Sequence, residues 1–272
     1  VKRVVLPELR VPETMSREEM PDLLRHWYLG PRARRHMMLR RFAEVDGEVG
    51  SGEGSRVLDI GSAWGFNVMA LNRLGYRAVG LDLVIDQFAA GRTIADANGV
   101  AFDVLGADAS HLPFCDESFD AVTMVETFEH IYLDDRPRAL SECYRVLRPG
   151  GWLVLSTPNH ASAVERIKRL VGRHRWLRDR LPTMCYPEEG TPRGEYHPYR
   201  YHHPLPDARI VELIAGAGFT VRNVRHFLLT LKNTPDALAP AFWAAEALVE
   251  RVPSLRRLTA TSRFTAVKPA TR

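Results

Sequence analysis

The sequence predicts an α/β domain, a mostly parallel sheet with helices packed on both faces, and three observations carry that prediction. From Arg56 onwards, short apolar segments alternate with amphipathic ones, the signature of successive βαβ units. The stretch 46–54 holds four glycines in nine residues and reads as a loop. It separates an N-terminal helical extension and linker, residues 1–54, from a main domain over residues 55–272. The strand–helix rhythm then breaks at Pro158 and resumes at Asp207. That leaves residues 158–206 as an insertion after the fifth strand, of a length usual for a lid or binding segment.

The elements follow in order. Pro21 opens a short helix that Gly30-Pro31 closes, with Leu23, Leu24, Trp27 and Tyr28 on one face. A second helix covers 32–45. Strands are expected at 56–60, 78–83, 101–105, 120–125 and 152–156. Helices are expected at 64–74, closed by Gly75, at 86–97, closed by Asn98-Gly99, and at 136–147. Ser162 with Glu165 forms a capping box at the head of a basic helix running towards Gly172. A helix at 207–217, a strand at 219–231, a helix around 236–251 and a last strand at 259–267 complete the chain. In such sheets ligands bind beyond the carboxyl ends of the strands, so the loops after Ile60, Leu83, Leu105, Val125 and Ser156 are where chemistry is sought.

Composition narrows the classes. With 272 residues, 45% hydrophobic and 26% charged, the chain can bury a large core and is neither disordered, collagen-like nor repetitive. No apolar run approaches the roughly 18 residues that span a bilayer. Residues 1–10 lack an apolar core of the signal-peptide kind. Cys115, Cys143 and Cys185 are widely spaced, odd in number and without metal spacing, which points to a reducing, cytoplasmic setting. The net charge of +4 suits an anionic ligand without by itself indicating nucleic acid.

The chemistry starts at Val57-Leu-Asp59-Ile-Gly61-Ser62-Ala63-Trp64-Gly65, on a strand–loop–helix junction where glycines let the backbone approach a ligand. Alanine at 63 is tolerable provided that position is not left-handed. Val79-Gly-Leu-Asp82-Leu83 then puts a carboxylate at the end of the second strand, and Gly106-Ala-Asp108-Ala109 gives a third acid after the next. The run from Leu112 to Val122 leads into the fourth strand. Arg145-Val-Leu-Arg-Pro-Gly150-Gly151-Trp closes a helix and opens the fifth.

This ordered series resembles the class I S-adenosylmethionine-dependent methyltransferases, over about residues 56–231 and with the last strand included. The resemblance implies a Rossmann-like seven-stranded sheet whose final hairpin is antiparallel, with the helix near Asp236 inserted in it. It implies S-adenosylmethionine as cofactor. By it, Asp59, Gly61 and Gly65 surround the methionine part and Asp82 takes the ribose hydroxyls. Asp108 accepts from the adenine amino group while the Ala109 amide donates to the ring; Ser62, Leu83 and Glu126 complete the cofactor contacts.

Val125-Glu126-Thr-Phe-Glu129-His130 follows the fourth strand, where the transferred methyl points. If the segment is helical, Glu126, Glu129 and His130 share a face. It is similar to the Glu-x-x-Glu-His of ubiquinone-biosynthesis O-methyltransferases and of small-RNA 2′-O-methyltransferases, where it is associated with a divalent cation. That resemblance implies a metal held by Glu126, Glu129, His130 and a downstream histidine. His197 is the best positional match, and His202 and His203 are alternatives. Carboxylates with imidazole suit Mg²⁺ or Mn²⁺, and more imidazole favours Zn²⁺. The competing reading has no metal and uses His130 as general base. His130, Glu129 and His197 are the candidate catalytic residues under either.

The helix after Ser162 carries seven basic residues among the fifteen from Arg166 to Arg180. It could grip an anionic substrate, an RNA end or a membrane surface. The preferred reading is a lid whose apolar residues, Val164, Ile167, Leu170 and Val171, pack on the domain. Tyr186, Tyr196, Tyr199 and Tyr201 could line an acceptor pocket. The function expected is O-methylation of a small-molecule acceptor by in-line displacement, with a natural-product or sugar-type hydroxyl as acceptor. RNA 2′-O-methylation is the alternative, disfavoured because no RNA-binding module is recognisable, and a non-catalytic cofactor-binding scaffold is another. The sequence is silent on oligomeric state.

Overall fold

A computed structural model describes residues 4–49, 52–180 and 201–270. Seven strands form one sheet: β1 (Arg56–Ile60), β2 (Arg77–Asp82), β3 (Asp103–Gly106), β4 (Phe119–Val125), β5 (Leu147–Pro158), β6 (Thr220–Phe227) and β7 (Thr261–Val267). Their order is β3-β2-β1-β4-β5-β7-β6. β7 runs antiparallel to both neighbours and the other pairings are parallel. The chain moves outward from β1 to β3, then returns to pair β4 with β1. The carboxyl ends of β1 and β4 therefore lie at the topological switch point, where the loops diverge and open a crevice.

The helices are α1 (Arg32–Asp46), α2 (Phe66–Arg73), α3 (Phe88–Asn98), α4 (Arg136–Val146), α5 (Ala163–Arg173), α6 (Arg175–Arg180), α7 (Asp207–Gly216), α8 (Ala239–Val249) and α9 (Pro253–Arg256). One face of the sheet closes over a core in which Leu58, Ile60, Val122, Met124 and Leu155 meet Leu140 and Val146 of α4 and Ile210 and Ile214 of α7. Across the sheet, Trp64, Phe66, Met69, Ile94 and Phe102 pack with Leu9, Leu24, Tyr28 and Met38 of the N-terminal segment.

Several elements depart from expectation for local reasons. The helix expected to open at Pro21 is a π-helical turn, Leu24–Tyr28. β3 begins two residues late because Phe102 is drawn into the core, against Gly65 and Gly91. β6 stops at Phe227 because Leu228 adopts a left-handed φ of 72°. The Leu229 and Thr230 amides then donate to Glu246 on α8, at 2.9 and 3.0 Å, instead of to a strand. At α5 only half of the capping box forms. Ser162 Oγ accepts from the Glu165 amide at 3.2 Å, while the Glu165 carboxylate turns to Lys168 at 2.7 Å. Nor do all the apolar residues of α5 pack inward: Val171 is buried, but Ile167 and Leu170 are 49% and 56% exposed.

α1 is anchored through charge. Arg225 and Arg263 each reach Glu44 at 2.9 Å, and Arg40 reaches Glu250 at 2.9 Å. His36 binds Glu246 at 3.0 Å. Burial alone would push the Glu246 carboxyl up, but the His36 and Thr230 hydrogen bonds outweigh it and hold it at about 2. The extension is thus clamped across β6, β7 and α8, with its Arg41 at the crevice.

Candidate active site

The first loop is built on Gly61 and Gly65, at φ 80° and 82°. A Cβ at Gly61 would meet Thr127 Oγ1 at 2.1 Å, and one at Gly65 would meet the Phe102 ring at 2.2 Å. Both positions therefore require glycine sterically as well as conformationally. Ala63 between them is left-handed, φ 49°, so the proviso on alanine is not met. The strain is held by its amide, which donates to Asp82 Oδ2 at 2.8 Å. Asp82 is 6% exposed and also accepts from the Val84 amide at 2.9 Å, which ties the first and second loops together. Burial raises its carboxyl above the usual range. A carboxylate has about four acceptor sites, so Asp82 keeps acceptor capacity beyond these two bonds.

Asp59, placed by the sequence beside a ligand, faces the interior instead. It is 2% exposed, and its Oδ1 accepts from Thr123 Oγ1 at 2.7 Å and Asn67 Nδ2 at 2.9 Å. It ties β1 to β4 and α2 from beneath the loop, and burial raises its carboxyl to about 6. Ser62 Oγ is buried without a hydrogen-bond partner. On the far side of the crevice Asp108 is exposed, with Oδ1 accepting from the Ser110 amide and hydroxyl at 2.8 and 2.9 Å. Ala109 is half-buried beside it, and Leu83 and Ile85 are each 60% exposed. An apolar pair flanked by an acid and a free stretch of loop suits a flat heterocycle.

Beyond β4 the segment 126–130 is not an α-helix, so the condition for one shared face is not met. Glu126 has a left-handed φ of 52°, and only Phe128–His130 form a 3₁₀ turn. The three ligand-type side chains consequently do not share one face. Glu126 turns towards β5 and α1: Oε1 accepts from Ser156 Oγ at 3.0 Å, and Oε2 pairs with Arg41 Nη2 at 2.9 Å. Burial outweighs Arg41 and raises its carboxyl to about 7.

Glu129 and His130 are brought together with His202, each offering a ligand atom within 4.8 Å of the others. Glu126 stands outside this group, and His197 lies outside the described residues. Glu129 is 1% exposed, burial raises its carboxyl to about 7, and its Oε2 is buried with no hydrogen-bond partner. His130 Nδ1 lies 2.5 Å from the Tyr201 carbonyl, which can only accept, so this nitrogen carries the proton. In that tautomer Nε2 is the ring's basic nitrogen, the one that would ligate a cation or take up a proton. Burial pushes His202 down to about 3, so it is neutral near pH 7. An orphaned carboxylate oxygen and two imidazoles that burial or tautomer fixes as donors form a set that fits a divalent cation.

Arg136 holds this turn. It is fully buried, and its Nη2 donates to the carbonyls of Glu129 and His203 at 3.0 and 2.8 Å, while Nε donates to Ile131 at 2.9 Å. The sequence offered one unread signal for it. A cation at the first residue of a helix opposes the helix dipole, so some other contact must justify it. Arg41 gave no comparable signal, because nothing local links α1 to β4.

Comparisons with known proteins bear on this geometry. Residues 58–155 match the family model described as a methyltransferase domain. A demethylmenaquinone methyltransferase of Thermus thermophilus is 34% identical over 177 residues, covering 61% of this chain and 75% of that protein. The chain belongs to the class I S-adenosylmethionine-dependent methyltransferases. The methyltransferase is also 34% identical over 107 residues to a ubiquinone biosynthesis O-methyltransferase of Cereibacter sphaeroides, covering 39% of this chain and 42% of that one. Among solved structures, a Methanosarcina mazei methyltransferase superposes with a TM-score of 0.57 at 21% identity, covering 81% of this chain and 95% of that one. The [4+2]-cyclase SpnF superposes with 0.56 at 20% identity, covering 85% and 82%. These structures share the fold; a cyclase among them shows that the fold alone does not dictate the chemistry. S-adenosylmethionine is the family's cofactor. The interlocked glycine loop, Asp82, and the apolar pair Leu83 and Ile85 are a fitting cradle for it.

Proposed function

We propose that this methyltransferase methylates a hydroxyl oxygen of a small-molecule acceptor at the edge formed by Glu129, His130 and His202, with a divalent cation held there. The observation that carries the reading is the convergence of those three donors beyond the carboxyl end of β4. The relatives' names point to a quinone-type ring as the acceptor class, and the ubiquinone biosynthesis O-methyltransferase among them favours an oxygen on it.

The cofactor supplies an electrophilic methyl on a sulfonium. Asp82 would accept from its ribose hydroxyls, Leu83, Asp108 and Ala109 would frame its adenine, and Gly61, Ser62 and Gly65 would admit its methionine part. Asp59 supports that loop from below, and Glu126 borders the same crevice. A cation on Glu129, His130 and His202 would lower the pKa of the acceptor hydroxyl. Mn²⁺ and Zn²⁺ suit one carboxylate and two imidazoles better than Mg²⁺ does. Arg136 keeps the donors in register. Residues 158–206 stay the proposed lid over the acceptor, although 181–200, with Tyr186, Tyr196 and Tyr199, lie outside the described residues. Their described end lays Tyr201 and His203 on His130 and Glu129.

A second reading rests on the His130–Tyr201 contact. With Nδ1–H donating to that carbonyl, Nε2 is the ring's basic nitrogen and would take the acceptor proton without metal. The test is turnover of hydroxylated quinone and phenol acceptors with S-adenosylmethionine, followed by mass spectrometry, with and without chelator. Methyl transfer that chelator abolishes and Mn²⁺ or Zn²⁺ restores supports the first reading. Chelator-resistant transfer that fails in His130→Gln supports the second, and no transfer to any hydroxyl acceptor overturns both.

A further inference from the structure

We propose that Arg41 of the N-terminal helix is a positioning residue that holds Glu126 out of the Glu129–His130–His202 cluster and thereby sets which cation the cluster prefers. The inference rests on the reading that these three residues hold a divalent ion.

Glu126 sits three residues before Glu129, at the lip of the same turn, and is the obvious fourth donor. Both of its oxygens are already engaged, Oε1 by Ser156 at 3.0 Å and Oε2 by Arg41 at 2.9 Å. Arg41 is itself held in place. Its Nε reaches Thr261 Oγ1 at 3.4 Å, its guanidinium lies 5.8 Å from the centre of the Trp27 ring, and its side chain is only 16% exposed. Its helix is clamped on either side of it by Arg40–Glu250 and Glu44–Arg263, each at 2.9 Å. Holding a guanidinium at a fixed point on a rigid helix costs little further entropy, so the pair with Glu126 is preorganised.

The consequence is chemical. With Glu126 withheld, the cluster offers one carboxylate and two imidazoles, a set that suits Mn²⁺ or Zn²⁺. With Glu126 released, two carboxylates would face the ion, and hard oxygen donors favour Mg²⁺. Arg41 thus makes the N-terminal extension a determinant of metal selectivity at a site carried entirely by later segments.

The experiment measures Mn²⁺, Zn²⁺ and Mg²⁺ binding to the full chain by calorimetry, with Mn²⁺ checked by electron paramagnetic resonance. The variants are Arg41→Met, Arg41→Lys, Glu126→Gln and the double variant Arg41→Met/Glu126→Gln. S-adenosylhomocysteine binding and circular dichroism establish that each is folded. Arg41→Met should narrow the preference for Mn²⁺ over Mg²⁺ on the order of tenfold, the usual scale for changes just outside a metal's ligands. Arg41→Lys, which keeps the ion pair, should behave like the original chain, and the double variant should lose the gain in Mg²⁺ affinity. Unchanged preference in a folded Arg41→Met, or an equal gain in the double variant, overturns the role of Arg41 while leaving the metal site standing. Absence of divalent binding in the original chain and every variant overturns the metal reading and this inference with it.

Discussion

Arg136 and Glu129 are joined not through the carboxylate but through the backbone: the buried guanidinium donates to the Glu129 carbonyl at 3.0 Å, and the same nitrogen donates to His203 at 2.8 Å. Together with the His203 amide on the Glu129 carbonyl and the His130–Tyr201 bond, it lashes the segment after β4 to the end of the insertion, where His202 lies beside His130. Replacing Arg136 by Met removes a charged donor from both carbonyls, although that of Glu129 keeps the His203 amide at 2.9 Å, at a cost of about 1–3 kcal/mol in all. Chemical denaturation should show that loss. Calorimetry should show weakened metal binding with S-adenosylhomocysteine affinity nearly intact, since the cofactor loops lie across the crevice. Arg136→Lys supplies a charge without the fork and should recover only part of the stability.

Asp82 links the first two loops, so its loss has two effects. Asp82→Ala should weaken S-adenosylhomocysteine by on the order of 1–3 kcal/mol, for the missing charge-assisted partner. It should also lower the melting temperature without ligand, because the left-handed Ala63 loses its anchor. Unchanged affinity by calorimetry would remove Asp82 from the cofactor site.

Ala63 inverts an ordinary rule. Alanine to glycine normally destabilises by roughly 0.5–1 kcal/mol, through the entropy of the unfolded chain. A left-handed non-glycine residue costs roughly 1–2 kcal/mol, so removing the Cβ at φ 49° should at least offset that loss. Ala63→Gly should leave the melting temperature level or raised, and Ala63→Val should lower it clearly.

Asp46 and Asp59 are buried near each other under the first loop. Desolvation raises Asp46 well above 3.8 and Asp59 to about 6. A folded-state pKa above the unfolded one means the fold binds protons that the unfolded chain releases. The contribution to stability is complete below about pH 4 and is lost as pH rises through about 6 and beyond. Asp46→Asn keeps the uncharged form at every pH. Its melting temperature should therefore fall less than that of the original chain between pH 5 and pH 8, and parallel curves would contradict the assignment.

Much of the sheet was legible beforehand because it is written locally. Apolar runs such as Val57-Leu-Asp-Ile have a period and length that only a buried strand satisfies, and β1 falls on residues 56–60 as expected. Gly61, Gly65, Asp82 and Asp108 were legible as a set because their positions after successive strands bring them to one sheet edge, whatever the side chains do there.

The sequence by itself determined the strand–helix alternation, and therefore the end of the sheet where the chemistry lies. These follow from periodicity and chain connectivity, which act over a few residues at a time. Only the tertiary structure decided how the acids and histidines divide their work. Whether Asp59 faces a ligand or Thr123, and whether Glu126 joins Glu129 or Arg41, depends on partners 64 and 85 residues away in the chain. His202 meets His130 only because the Tyr201 carbonyl, the His203 amide and the buried Arg136 tie two segments distant in the chain. Burial and a left-handed backbone at Glu126 choose among these partners, and neither is set by spacing, because desolvation and backbone strain are balanced only once the whole fold closes around them.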